Sequence, residues 1–383
     1  MTDDDGGSTR RRGAEQLQTG SSDPDGAPTK EAQASRFHTR FCDLVGVRYP
    51  IVQTGMGWVA GPRLVAASAN AGILGILAAA TMDFDQLVGA IREVKEQTDR
   101  PFGVNMRADA PDAGDRIDLL IREGVKVGSF ALAPKPDLIK KLKDAGVVVM
   151  PSIGAKRHAE KVAEWGVDAV LVQGGEGGGH TGDVPTSLLL PQVVDAVDLP
   201  VVAAGGYFDG RGLVAALAYG ASGIAMGTRF LLTSDSPVGD EVKQVYLGKT
   251  VNDTLRTTQV DGVPHRVLRT EFTEHLDKTG PVTSLPRAVS NALKFKKLSG
   301  TPWRQIIREG VAMRRSQELS WSQVIMAANT PMLLKASMVD GRPDLGVMSS
   351  GQVVGMIDDL PTVDELVQRI MAEAGEARTR LCH

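Results

Sequence analysis

From residue 50 onward the hydrophobic positions alternate between two periods. Short, nearly all-apolar runs rich in Val, Ile and Ala occur at Pro50–Met56, Ile73–Ala79, Phe102–Arg107, Lys126–Leu132, Val147–Ile153, Ala169–Gln173, Pro200–Ala204 and Gly223–Met226. Between them lie amphipathic stretches: Gly61–Ala71, Asp83–Gln97, Ala113–Glu123, Pro136–Ala145, Lys156–Trp165, Ser187–Val197 and Gly210–Tyr219. Runs with little polar alternation predict parallel strands buried on both faces, and the amphipathic stretches predict helices packed over them. Gly72, Gly124, Gly146, Gly166 and Gly220 stand where a left-handed C-cap would end a helix.

Eight strands with seven intervening helices is the count for a closed (β/α)8 TIM barrel. A doubly wound open sheet is the alternative, but its glycine fingerprint usually follows the first strand. Here the densest glycine clusters follow the sixth, seventh and eighth, where a barrel typically holds phosphate. Past residue 232 the rhythm stops. Residues 235–250, 286–315, 320–337 and 362–375 read as helical, and 254–270 as short extended structure. The expected division is a disordered tail at 1–36, a barrel at 37–234, and an α-rich appendage at 235–383 covering the C-terminal face of the barrel. The tail is too poor in large apolar residues to offset its ordering entropy.

Composition changes this picture little. The 383 residues are 42% hydrophobic and 23% charged, ordinary for a globular chain. A net charge of -3 gives no sign of a nucleic-acid partner. Cys42 and Cys382 stand near opposite ends without a Cys-x-x-Cys or Cys/His neighbour, so neither a disulfide framework nor a metal motif is expected. No apolar run is long enough to span a bilayer and no secretory signal is present. A cytoplasmic enzyme without a membrane partner is expected; a homo-oligomer stays open.

Candidate chemistry gathers at the strand exits. Gln173–Gly182 reads Q-G-G-E-G-G-G-H-T-G, a loop whose glycines would let backbone approach a ligand. His180 lies within it, at the end where barrels place catalytic groups, and can move a proton near neutral pH. The bland alternative is a loop histidine bonded to a nearby carbonyl. Ala203–Gly212 reads A-A-G-G-Y-F-D-G-R-G: a strand, the pair Gly205 and Gly206, then a helix start, which together make an anion site. In Gly223–Phe230, Gly227 permits close approach and Thr228 adds a hydroxyl. Gln53, Gly55 and Met56 at the first strand's exit could lie against a flat ring, and the Asn105 amide suits a ring edge; ordinary turn chemistry is the alternative for each. Gly248–Lys249–Thr250 resembles the end of a P-loop, but Lys243 stands where the first glycine belongs.

Together these segments resemble the nitronate monooxygenase (2-nitropropane dioxygenase) family of FMN barrels, which includes flavin-dependent enoyl-thioester reductases. The markers are P-I-V-Q-T-G-M-G, F-G-V-N, the G-G-G-H loop, A-A-G-G-x-x-D-G-R-G and G-x-x-M-G-T-R-F. The resemblance implies that His180 is catalytic and that Gln53, Gly55, Met56, Asn105, Gln173, Gly179, Gly205, Gly206, Gly227 and Thr228 line an FMN. Further segments, V-Q-T-G-M-G-W-V-A-G, S-F-A-L-A-P-K, D-G-x-P-H-R-V-L-R-T and M-A-A-N-T-P-M-L-L-K, are similar to actinobacterial flavoenzymes of steroid C/D-ring catabolism. That similarity implies α,β-dehydrogenation of a bicyclic acyl-CoA, or its reverse, with NAD(H) or NADP(H) as co-substrate. The runners-up are a nitronate monooxygenase that uses oxygen and a nucleotide-binding protein without catalysis. A basic stretch including Arg287, Lys294, Lys296, Lys297, Arg304 and Arg308 reads as a solvated helix face; alternatively, Lys296 and Arg304 bind the CoA phosphates.

Overall fold

Each apolar run pairs with the next through parallel backbone ladders, which buries both faces of the resulting sheet. The computed structural model describes residues 36–131, 133–278 and 329–381; the expected tail, all but Arg36, lies outside them. The strands are β1 (Ile51–Gln53), β2 (Leu74–Ala78), β3 (Gly103–Met106), β4 (Val127–Phe130), β5 (Val148–Ile153), β6 (Val170–Gln173), the two-residue β7 (Gly179–His180), β8 (Val201–Ala204) and β9 (Gly223–Met226). All except β7 form a closed barrel in the order β1-β2-β3-β4-β5-β6-β8-β9. The pairs Ile51↔Ile224 and Val52↔Ala225 shut the ring. The open-sheet alternative is thereby excluded.

The helices up to the last barrel strand are α1 (Arg40–Val45), α2 (Pro62–Asn70), α3 (Phe84–Gln97), α4 (Ala113–Arg122), α5 (Pro136–Asp144), α6 (Lys156–Glu164), α7 (Thr186–Val194) and α8 (Gly210–Ala218). Local chemistry sets their ends. Asp83 and Gln86 form a reciprocal capping box that starts α3. The five expected C-cap glycines all take positive φ, between 66° and 89°. The core has two layers. Outward strand residues such as Ile51, Leu77, Val104 and Val172 pack with Leu64, Ile91, Ile117 and Leu190 of the helices. Inward residues such as Val52, Ile76, Met150 and Leu171 pack with Phe41, Cys42 and Val45 of α1. Because α1 leads directly into β1, it plugs the N-terminal end of the barrel and leaves the other end for chemistry.

Beyond β9 come α9 (Thr228–Leu231), α10 (Asp240–Leu247), β10 (Thr254–Thr257), β11 (His265–Leu268), α11 (Glu271–Lys278), α12 (Asn329–Met338) and α13 (Val363–Leu381). The expected appendage contains two different parts. α13 packs against α8 and α2, burying Val363, Leu366, Val367, Ile370, Met371 and Ala374. It therefore fills the gap between the first and seventh helices and is the eighth helix of the barrel. Residues 235–362 form an insertion ahead of it, which is why the sequence rhythm breaks at 232. Within the insertion β10 and β11 make an antiparallel hairpin, and β11 pairs in turn with β7. Val260, Val267, Leu276, Leu333 and Val347 form its separate small core. Since β7 lies in the loop after β6, this sheet stands at the C-terminal mouth of the barrel.

Candidate active site

The glycine-rich loop after β6 is folded tightly upon its own chain. A Cβ on Gly178 would lie 2.5 Å from the Ser350 backbone, and one on Gly174 2.0 Å from Thr186 Oγ1. These two glycines thus serve close packing within the protein, where the sequence pointed to approach by a ligand. Gln173 donates to the carbonyls of Gly178 (3.1 Å) and His180 (2.9 Å), fixing the loop's curve. Gly179 takes φ 72°, and β7 then presents His180 beside β11.

His180 Nε2 lies 2.6 Å from Asp261 Oδ2, not against a carbonyl. The other Asp261 oxygen accepts from the Val263 backbone N–H at 3.2 Å. His265, the register partner of His180, is buried, with its Nδ1 3.8 Å from Asp261 Oδ2 and its Nε2 2.8 Å from Ser349 Oγ. The two imidazole rings lie 4.7 Å apart. His180 is set among the mouth loops, yet 56% of its side chain stays open to solvent. Its depth in the protein disfavours the imidazolium, but the Asp261 hydrogen bond and charge outweigh this and the Arg107 charge, so its pKa lies above the ordinary value. Burial pushes the His265 pKa down, against Asp261 and with the aid of His180. Burial alone would raise the Asp261 pKa, but the two histidines hold its carboxyl well below the usual range. Ligand atoms of the three side chains lie within 4.8 Å, close enough to share an ion. His180 is hydrogen-bonded to Asp261 and His265 to Ser349, while the buried His265 Nδ1, 3.8 Å from the carboxylate, makes no hydrogen bond among the described residues, so these are two adjacent pairs and not one continuous relay.

The other expected residues ring the same mouth. A Cβ on Gly55 would stand 2.5 Å from Asn105 Cβ, so the β1 and β3 exits touch. Asn105 donates to Ser129 Oγ at 3.1 Å. A Cβ on Gly227 would be 3.4 Å from Met56 Sδ, joining the β9 and β1 exits. Gly205 and Gly206 take φ 99° and 83°, and Gly205 faces the β6 loop, 3.1 Å from Gly174 O by the same measure. Thr228 Oγ1 accepts from Gly351 N–H at 3.0 Å, leaving its own proton to donate. The start of α8 differs from the expected anion site, because two carboxylates already occupy it: Asp209 takes Gly212 N–H (3.0 Å) and Glu373 takes Gly210 N–H (2.9 Å). Phosphate would therefore rest on the glycine turns and Thr228 rather than on this helix terminus.

These residues fit an FMN. Gln53 is fully buried, and its Oε1 has no hydrogen-bond partner, as expected of an acceptor that awaits a donor from a bound ring. Gln53, Met56, Asn105 and Gln173 would hold the ring, and Gly205, Gly206, Gly227 and Thr228 the phosphate. Lys296 and Arg304 lie outside the described residues. Sequence reasoning missed Asp261, His265 and the Ser349–Gln352 segment, although Asp261 and His265 stand four apart in a motif that was already noted. It also missed Trp58, which takes φ 64° and donates to Pro331 O at 3.1 Å. Trp58 lines a cavity of about 310 Å³ with Val59, Ala60, Ala78, Thr81 and Met82.

The described strands close a (β/α)8 barrel with His180 and the glycine turns at its C-terminal mouth. The chain belongs to the nitronate monooxygenase family, whose model matches residues 38–373. It is 62% identical over 340 residues to a Rhodococcus jostii protein named (3aS,4S,5R,7aS)-5-hydroxy-7a-methyl-1-oxo-octahydro-1H-indene-4-carboxyl-CoA dehydrogenase, covering 89% of this chain and 96% of that one. A Mycobacterium tuberculosis protein of the same name is 62% identical over 342 residues, covering 88% and 96%. Among solved structures, FabK from Thermotoga maritima superposes with a TM-score of 0.75 at 33% identity, covering 90% of this chain and 98% of that one. The chain is an enzyme of the oxidoreductase class. Among the described residues no helix is long and apolar enough to cross a membrane.

Proposed function

We propose that this protein is an FMN-dependent dehydrogenase of a bicyclic, steroid-derived acyl-CoA, working with a nicotinamide nucleotide as co-substrate. The observation that carries the reading is the extent of the similarity: 62% identity spans 96% of the R. jostii dehydrogenase, which takes in both the barrel and the inserted segment that brings Asp261 to His180. Bound flavin supplies two-electron redox chemistry. The protein's own part is to hold the thioester at the mouth and to move a proton. His180 is the general base for the hydrogen on the carbon next to the thioester, or the acid in the reverse direction. The Trp58 cavity offers an apolar wall for the ring system. Lys296 and Arg304 are assigned to the CoA phosphates on charge alone.

The test is an anaerobic titration of the purified flavoprotein. Loss of flavin absorbance on adding the bicyclic acyl-CoA, with no response to an alkyl nitronate, is the expected result. Bleaching by the nitronate alone would favour the nitronate monooxygenase reading, for which the family match speaks. In His180→Ala the flavin stays bound and the rate of bleaching falls by about 10²–10⁴, the range of a positioned acid–base group. A fall of less than tenfold would return His180 to a structural role.

A further inference from the structure

We infer that Asp261, carried in by the inserted hairpin, is the positioning residue that makes Nδ1 of His180 the proton-transferring nitrogen; this rests on the proposed role of His180. The geometry sets the roles of the two ring nitrogens. Nε2 is held 2.6 Å from Asp261 Oδ2, so in the neutral ring the Nε2–H donates to the carboxylate and Nδ1 carries the free lone pair. The carboxylate cannot swing away, because its second oxygen accepts the Val263 N–H and its surroundings leave the side chain only 5% exposed. Backbone pairing sets His180 opposite His265, whose ring lies 4.7 Å away. His265 is in turn tied to Ser349 at 2.8 Å. Barrel loop and hairpin thus meet at His180, the 349–352 segment braces its neighbour His265, and 56% of the His180 side chain stays exposed.

The proton balance is closed. The proton on the carbon next to the thioester passes to Nδ1, the electron pair it leaves becomes the new C=C bond, and the hydrogen on the adjacent carbon would leave with its own pair to the two-electron acceptor that the site would hold. The imidazolium keeps its Nε2–H on Asp261, whose negative charge offsets the new positive charge, and Nδ1 later returns its proton to solvent. The charged groups facing the ring act in opposite directions. Asp261 stabilises the imidazolium, Arg107 opposes it from the β3 exit while held by Asp109 at 2.9 Å and 3.0 Å, and His265 stays neutral through burial.

Asp261→Asn tests this while preserving shape, because the amide oxygen can still accept from Val263. The direct readout is the tautomer and titration of His180, followed by NMR of the flavin-loaded protein with ¹⁵N-labelled histidine and assigned against His180→Ala. In the wild type, neutral His180 should be protonated at Nε2. In Asp261→Asn its titration midpoint should move to lower pH and the tautomer preference should weaken. In turnover, kcat should fall at least tenfold with KM little changed, and the acid limb of the pH profile should move down. Asp261→Glu should bring the limb part of the way back. An unchanged His180 midpoint and tautomer in Asp261→Asn would overturn the inference, as would a loss of kcat without movement of the acid limb. If the acyl-CoA proves not to be the substrate, the NMR titration still decides the role of Asp261.

Discussion

Among single residues, the glycine pair at the β8 exit allows a sharp test of the phosphate site. Gly206 has φ 83°, and a Cβ there would meet nothing nearer than Glu176 Cβ at 3.8 Å. A side chain therefore costs backbone strain, roughly 1–2 kcal/mol for an L-residue in the left-handed region, but no clash. The Glu176 carboxylate is turned away to Thr186 N–H and Oγ1 at 2.9 Å and 2.7 Å. Gly206→Ala isolates the strain; Gly206→Asp adds a charge that repels phosphate. Both variants should fold, the Ala form retaining most of its flavin and the Asp form emerging colourless. Equal flavin content in the two would remove phosphate from this turn. Gly205, Gly206 and His180 could be singled out in the sequence because a run of glycines after a buried strand has few uses, and their roles are what the flavin-content and bleaching measurements decide. Asp261 could not be, since its partner is 81 residues away and only the pairing of β7 with β11 brings the two together.

At the level of elements, strands and barrel helices could be read from the sequence because each has one period and a visible stop. All eight barrel strands fall inside the runs read from hydrophobicity, β9 with identical ends. The two-residue β7 and the plug α1 could not be read: β7 is too short for any period, and α1 is recognisable only once a barrel end exists for it to fill. Contact between α8 and α13 yields the next prediction. A Cβ on Gly210 would lie 2.2 Å from Ala374 N and 2.3 Å from Ile370 O, and these are backbone atoms that move only if a whole helix moves. Gly210→Ala should therefore lower stability by about 1–3 kcal/mol, the usual cost of overpacking. Gly114, in the first turn of α4, has nothing within 4 Å of such a Cβ, so Gly114→Ala should be neutral or stabilising by about 0.5–1 kcal/mol. Thermal denaturation of the two variants checks the sign of each. A Gly210→Ala protein as stable as wild type would mean that α13 does not seat on α8 as described.

For the whole molecule, the question is whether the barrel ends at residue 234 or is completed by the last helix. The first option makes 235–383 a removable cover; the second makes it an insertion plus an essential wall. α13 buries Val363, Leu366, Val367, Ile370 and Met371 at 0–1% exposure, and burying such side chains stabilises by about 1.5–3 kcal/mol each. The sum is of order 10 kcal/mol, comparable to the roughly 5–15 kcal/mol that holds a domain folded. The matching faces of α2 and α8 would be bared by its loss. A chain ending at residue 234 should therefore fail to unfold cooperatively and should bind no flavin. A chain in which a short linker replaces residues 252–345 retains α13, the core residues Met348, Val353, Val354 and Ile357 and the Asp359 partner of buried Arg229, and should recover a cooperative transition, because the barrel wall is complete. That second chain should still be inactive, since the deletion removes Asp261 and the hairpin that pairs with His180. Denaturation of the two truncated chains, followed by circular dichroism, separates the options. A cooperative, flavin-binding fragment ending at residue 234 would show that the barrel closes without α13.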